Sequence, residues 1–570
     1  MCSQPSINIP HSRRLILLGL IAANLFCPQL FSSNRPKPIN LSKKHIQAVE
    51  KDRRIIINFD TISGDRQFGG QDPSALVKWK FHVIDEKDVQ IDSVWWGWGE
   101  GNQAPWPSKT MPLYNAKGYQ EWAERGINIA EIFLKESHKR GVEAFYNYRI
   151  NGSDNDLGPF RKLPMKVSNP SWLIHTWPGP VGLWNFAIPE VRKHKLNILR
   201  EIAEKLNYDG ISLDFARVCP VLPPGKGWLK RGKVTQFLRD FRVMTESIAE
   251  KRGRPLLIGL RIPENLEGCH FDGLDIESWI KENLVDILAV GIRNFDVDLA
   301  AFQRLTKESH VKIYPSIDDH HASDGYATPP IEIYRGVATN WLITGADGIQ
   351  TFNFNHAPDF PFKDVWETHL QAYKEIGRLE TMKHKDKHFV IQRRGGGHGP
   401  TVVPNPEDWY TPRWMYFNTN MLAPLPVILN NNSKIDTFLY LSIEEDLLFN
   451  KEHLKSISLK LLLSDNLAKE TSINQRLNKV KIATIGHASG GLFNIPPYKE
   501  LKEQIQVRLN NLHLGKPIIQ KGWLLFPQIS PEFFAVGKNL IGVSLAKSSP
   551  EQINQIQIEK LEVHVRYKTD

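Results

Sequence analysis

The chain has 570 residues, too many for one hydrophobic core, so two or three domains are expected. Hydrophobic residues make up 41% and charged residues 24%, which excludes an intrinsically disordered chain. The formal charge of +10 suits either an acidic polymer substrate or a lysine-rich solvated surface. No basic run interleaved with aromatics is present to track a nucleic-acid backbone, so nucleic acid is not an expected partner.

Residues 1–40 read as an export signal or N-terminal anchor. Arg13 and Arg14 precede the apolar run Leu15–Phe26, whose length suits a signal h-region and falls short of a spanning helix. The expected location is therefore periplasmic, extracellular or at the cell surface, with no stable membrane insertion beyond that segment. Of four cysteines, Cys2 and Cys27 lie in or near the signal. Cys219 and Cys269 follow neighbouring predicted strands and could form a disulfide or remain two buried thiols. No CxxC or HExxH spacing occurs, so neither a metal nor another cofactor is expected.

From residue 50 to 385, short β-branched strands alternate with helices. The strands are expected at Arg54–Asp60, Val89–Trp95, Val142–Ile150, Gly210–Phe215, Pro255–Ile262, Val285–Gly291, Val311–Ile317 and Gly348–Phe354. Helices are expected near Tyr119–His138, Pro189–Leu206, Asp275–Glu282, Ile331–Ile343 and Val365–Ile376. Pro189 suits a first helical turn, and Val191, Ile198, Leu199, Ile202 and Leu206 share one stripe. Eight such units predict an α/β fold, a (β/α)8 TIM-type barrel. Residues 386–423 read as linker or loop. From 424 to 570, alternating runs at Thr437–Leu441, Ser456–Leu463, Ile505–Leu509, Trp523–Phe526, Asn539–Leu545 and Lys560–Tyr567 predict an all-β sandwich.

The C-terminal strand ends collect polar groups: Asp60, Glu100, Arg149 and Asn151, Asp214 and Arg217, Arg261 and Glu264, Arg293 and Asp296, Asp318–His320, Asn353 and Asn355. In a barrel that rim carries the catalytic groups. The chain holds 16 Trp, several in predicted loops. Trp95, Trp98 and Trp184 are expected either to stack on sugar rings around an acidic cleft or to staple long loops to the barrel. Three consecutive residues rarely converge on one metal, so Asp318-Asp319-His320 reads as a loop.

The order of several segments resembles exported bacterial proteins of the family-10 glycosyl-hydrolase-like type. These are YRINGSD (Tyr148–Asp154), WNFAIPEVR (Trp184–Arg192), YDGISLDFAR (Tyr208–Arg217), LRIPE (Leu260–Glu264), the run Gly273–Gly291, and LNNLHLGK, GWLLFP and EVHVRY near the end. The resemblance implies a barrel fused to a β-sandwich and hydrolysis of O-glycosidic bonds in a polysaccharide or oligosaccharide. A weaker resemblance is to chitinase-type hydrolases, whose fourth strand carries DxxDxDxE. Asp209 and Asp214 match it, but Ser212 replaces the middle Asp and Ala216 occupies the Glu position, so that mechanism does not transfer.

Glycoside hydrolysis needs two carboxyls flanking the scissile bond, about 5–5.5 Å apart in retaining and about 6.5–9.5 Å in inverting enzymes. Asp214 is the candidate nucleophile or base. Glu264, Asp318 and Glu100 are candidate proton donors, Glu264 first by strand proximity. Arg149, Asn151, Arg217 and Arg261 would bind hydroxyls or orient carboxylates. Two readings stay open beside the enzyme: a glycan-binding pseudoenzyme on the same fold, and a metal-dependent hydrolase or lyase on an acidic glycan.

Overall fold

The computed structural model describes residues 37–59, 68, 71–114, 118–151, 163–174, 182–216, 220–291, 295–318, 326, 329–352, 354, 363–392, 423–430, 435–465, 504–520, 523–545 and 556–569. The expected signal at 1–40 lies almost wholly outside them. Among the described residues no helix is long and apolar enough to cross a membrane.

Eight parallel strands close into a barrel: β1 (Ile55–Phe59), β2 (Ile91–Gly97), β3 (Glu143–Arg149), β4 (Gly210–Asp214), β5 (Leu257–Ile262), β6 (Ile287–Val290), β7 (Lys312–Asp318) and β8 (Ile349–Phe352), with β8 returning to pair with β1. Each falls on an expected strand, because near-continuous apolar runs are buried on both faces of a parallel sheet. Helices α1 (Lys43–Val49), α2 (Pro189–Lys205), α3 (Gly232–Arg252) and α4 (Ile331–Ile343) surround it together with others. The expected helix Tyr119–His138 is two: Gly126 takes φ +70° after Glu124, and Asn128 then caps a new helix by accepting from the Glu131 N–H.

The end of the barrel at the strand N-termini is plugged. Val49 from α1 packs with Ile56, Trp95, Phe145, Leu257, Ile287, Ala289 and Tyr314. His45 on the same helix hydrogen-bonds Asp286 at 2.9 Å, and Arg242 and His310 reach the same carboxylate at 2.8 and 3.0 Å. Asp209, the first Asp of the chitinase-like pattern, also sits at this end and binds His138 (2.8 Å), Arg254 and the Ala144 N–H. It ties β4 to its neighbours, away from the opposite rim.

The described residues from Lys387 onward build two antiparallel sheets. The first orders β9 (Lys387–Val390), β18 (Ile556–Tyr567), β12 (Leu454–Asp465), β16 (Trp523–Phe526) and β15 (Ile518–Gln520), with β10 (Val427–Ile428) also on β18. The second orders β11 (Thr437–Ile443), β17 (Gly537–Leu545), β13 (Ile505–Leu509) and β14 (Leu512–His513). Alternate residues of both meet in one core, including Leu439, Leu441, Leu459, Val507, Val543, Leu561 and Val563. β9 lies inside the stretch expected to be linker, yet Lys387–Val390 pairs with Glu562–Val565, so the sheet recruits chain from well before residue 424.

The sandwich is stitched to the barrel. The Asn340 side chain on α4 donates to the Ser442 carbonyl at 2.8 Å and accepts from the Glu444 N–H at 2.9 Å. Gly336 lets α4 lie against β9: a Cβ there would fall 2.2 Å from the His388 carbonyl oxygen. On the strand C-terminal side of the barrel, the Phe295 N–H donates to the Gln392 side chain at 2.9 Å.

Candidate functional site

Alternation along β4 sends Ile211 and Leu213 outward and Ser212 and Asp214 into the barrel. Parallel register then sets Arg149 of β3, Asp214 of β4 and Arg261 of β5 side by side, at or near the C-terminal ends of their strands. One Asp214 carboxylate oxygen lies 3.3 Å from an Arg261 terminal nitrogen, and the other accepts the Ala216 N–H at 3.0 Å. The Arg261 guanidinium lies 3.6 Å from the centroid of Phe352 on β8. Phe352 is in turn the register partner of Asp318 on β7. One guanidinium thus joins the fourth-strand carboxylate to the opposite part of the rim by a charge pair and a cation–π contact.

Both members of the Asp214–Arg261 pair have no solvent exposure. Arg149, Glu264 and Asp318 are also buried. Glu264 lies two residues past β5, where its carbonyl accepts the Asp298 N–H at 3.0 Å. Asp214, Glu264 and Asp318 therefore come from β4, β5 and β7 at one end of the barrel, as expected. The Gly101 turn after β2 closes on this rim: with φ +78°, its hypothetical Cβ would sit 2.0 Å from the Arg149 carbonyl oxygen.

The expected role of the tryptophans as sugar platforms is corrected. Trp95, Trp98 and Trp184 are 0%, 2% and 0% exposed. Trp95 is an inward residue of β2, so its ring fills the barrel, stacked on Phe145 with centroids 5.3 Å apart. Trp98 donates to the Tyr208 hydroxyl at 3.3 Å. Trp184 donates to the Asn102 side chain at 3.1 Å and lies beside the Lys195 ammonium, 5.0 Å from the ring centroid. Large flat rings bury the most apolar area, and here that area braces the barrel and its loops.

Asn151 is likewise structural in its contacts. Its side chain accepts the Trp184 N–H and donates to the Pro220 carbonyl, each at 3.0 Å, tying the segment after β3 to the segment after β4. Arg217 and Cys219 lie outside the described residues, as do Asp60, Arg293, Asp319, His320, Asn353 and Asn355. Cys269 is a free buried thiol, with burial pushing its pKa well up. Among the described residues no three His, Cys, Asp or Glu side chains gather to hold a metal ion.

Two features went unread in the sequence. One is a polar layer directly beneath the rim: Asn58, Asn147, Ser212, Ser316 and Gln350, all buried, with Asn147 donating to Asn58 at 3.0 Å. The Oγ atoms of Ser212 and Ser316 and both amide atoms of Gln350 have no hydrogen-bond partner among the described residues. The signal was one polar residue at an inward position of five strands. The other is Lys195, fully buried on α2 and donating to the Tyr148 hydroxyl at 2.9 Å. It stands four residues after Val191 and three before Ile198, on the apolar stripe, which no solvated lysine should occupy.

No family model matches the chain. Among curated proteins, chloroplastic isoamylase 1 of Arabidopsis thaliana is 28% identical over 116 residues, which is 19% of this chain; the match spans only 15% of that protein's length. Among solved structures, α-L-fucosidase isoenzyme 2 from Paenibacillus thiaminolyticus is 13% identical with a TM-score of 0.37, covering 60% of this chain and 51% of that one. The PgaB (BpsB) glycoside hydrolase domain from Bordetella bronchiseptica is 12% identical with a TM-score of 0.36, covering 57% and 99%. The α-amylase of Geobacillus thermoleovorans is 11% identical with a TM-score of 0.35, covering 72% and 93%. These likenesses concern fold alone and assign no residue a role.

Proposed function

We propose that the protein is an exported glycoside hydrolase acting on a polysaccharide through carboxyl groups at the C-terminal rim of its barrel. What supports this is the position of the buried Asp214, Glu264 and Asp318 at or just past the C-terminal ends of β4, β5 and β7, with Arg261 bound to Asp214 at 3.3 Å. In this reading Asp214 is the nucleophile, or the base for a water. Glu264 is the first candidate for the proton donor and Asp318 the second, because β5 is the direct neighbour of β4 and β7 is not. Arg149 and Arg261 orient these groups. Substrate entry requires the rim to open enough for a sugar to reach the Asp214 carboxylate. The resemblance of the sequence segments to exported glycosyl-hydrolase-like proteins supports both the reaction class and the export.

The test is reducing-end release from a panel of neutral and anionic polysaccharides by wild type and Asp214→Asn, with circular dichroism as the check on folding. Cleavage by wild type that the near-isosteric variant abolishes supports the assignment; equal cleavage by both removes Asp214 from the chemistry. The full burial of the Asp214–Arg261 pair favours one second reading, a glycan-binding protein in which that pair only holds the rim together. Tight binding of a polysaccharide by wild type and Asp214→Asn alike, with no cleavage by either, is the result that reading expects.

A further inference from the structure

A cleft of about 350 Å³ lies between the barrel and the sandwich. Its barrel wall runs from Asn265, adjacent to Glu264, and Asp296 and Asp298 after β6 to Asn340 and Thr344 at the C-terminal end of α4. Trp341, in the last turn of α4, lines the same wall. The sandwich wall is Glu444 and Lys538, with Ser442 of β11 between them. The volume is within the range of small-ligand sites, and domain boundaries are a common place for them.

Beyond Ser442, β11 runs on from the cleft along the sandwich. Ser442, Tyr440 and Phe438 alternate along β11 on the same face, each roughly 6.5 Å from the next. Tyr440 is 61% and Phe438 57% exposed, whereas the intervening Leu439 and Leu441 are buried in the sandwich core. Beside Phe438, Asp436 and Arg508 form an ion pair at 2.8 Å, which lies over Gly542 of β17. The face thus offers two bare aromatic rings in a row, spaced on the order of one sugar unit, leading into a pocket lined by carboxylates, an ammonium and an amide.

We propose that this cleft and the Tyr440–Phe438 stripe form one groove that holds a neutral, hydroxyl-rich saccharide chain and leads it toward the Glu264 side of the rim. The inference rests on the saccharide reading above and adds a second site to it. Aromatic faces pack on the apolar faces of sugar rings, while mixed donors and acceptors serve hydroxyls. Carboxylates of Asp296, Asp298 and Glu444 against the single ammonium of Lys538 make the pocket unsuited to a polyanion. A protein partner is the poorer fit, because the cores of protein interfaces are depleted in charge. A second copy of the chain is the remaining competitor, since β11 is an edge strand.

The test is affinity electrophoresis of the full chain through native gels containing soluble starch, hydroxyethylcellulose or alginate, with light scattering in solution. Wild type is expected to be retarded by at least one of the two neutral polymers. Phe438→Ala/Tyr440→Ala is expected to lose at least fivefold in that affinity, and Asp214→Asn is expected to keep it. Retention without cleavage leaves the groove standing while the hydrolase assignment falls. The groove is overturned if the double variant is retarded like wild type, if neither neutral polymer retards wild type, if only alginate does, or if the chain is a dimer that the double variant dissociates.

Discussion

Asp214 and Arg261 face each other from neighbouring strands at 3.3 Å, and neither side chain reaches solvent. A buried pair of this kind costs desolvation that its mutual attraction only roughly offsets, so the pair is worth little as a unit and each member is costly to lose alone. Arg261→Met should therefore destabilise the protein by about 3–5 kcal/mol, while Arg261→Met combined with Asp214→Leu should recover most of that loss. Urea unfolding of the two variants measures it. A single variant as stable as wild type would show that the pair is open to water.

The His45 cluster makes stability depend on pH at the alkaline end. Burial disfavours its charged form, but hydrogen bonds to Asp286 and Glu246 outweigh this and raise its pKa to about 9. Arg242 opposes the charge and His310 shares Asp286. The folded value lies above the unfolded one of about 6.5, so the contribution is complete below that and lost as pH rises through about 9. The melting temperature of wild type should fall between pH 6.5 and 9, and His45→Gln should flatten that part of the curve.

The opposite slope is expected in acid. Burial and the neighbouring His564 lower the His388 pKa to about 3. Its folded value lies below the unfolded one, so the unfolded chain binds the proton first and stability declines as pH falls from about 6.5 toward 3. His388 stacks on His564 with centroids 3.4 Å apart, where β9 meets β18. His388→Phe should reduce the loss of melting temperature between pH 6 and 4. An unchanged acid limb would place its cause elsewhere.

Trp184 separates the two roles that the sequence allowed for the indoles. Trp184→Phe removes the hydrogen bond to Asn102 and should cost about 1–2 kcal/mol, with saccharide affinity per folded molecule unchanged. Denaturant unfolding and gel retardation, read on the same preparation, check both halves. A loss of affinity at full stability would return the indole to the sugar site.

The barrel was legible because each strand is a short apolar run set between helical stripes, a pattern that survives any choice of loop. The rim was legible for the same reason: the inward-facing residue at the C-terminal end of a strand must line the mouth, which located Asp214 and Arg261. Burial was not legible. Trp184 follows a long predicted loop, and nothing local says that Asn102, Lys195 and Asn151 come from distant segments to enclose it. β9 was missed because Lys387-His388-Phe389-Val390 is too short to show a period, and only its pairing with β18 makes it a strand. The helix Gly232–Arg252 was passed over although its Val234, Leu238 and Phe241 share a face.

β18 is an interior strand of its sheet, between β9 and β12, and also carries β10. It leaves the ribosome after every other described strand, some 170 residues after β9. Until Tyr567 has been made, β9 and β10 have no ladder to join, β12 has only β16, and the barrel's α4 faces a sheet that lacks β18. The eight barrel strands, by contrast, can close as soon as Phe352 has emerged. Assembly of this chain is thus expected in two separated stages, and ribosome-bound chains halted before residue 556 should show a protease-resistant barrel with the following segment still cleavable.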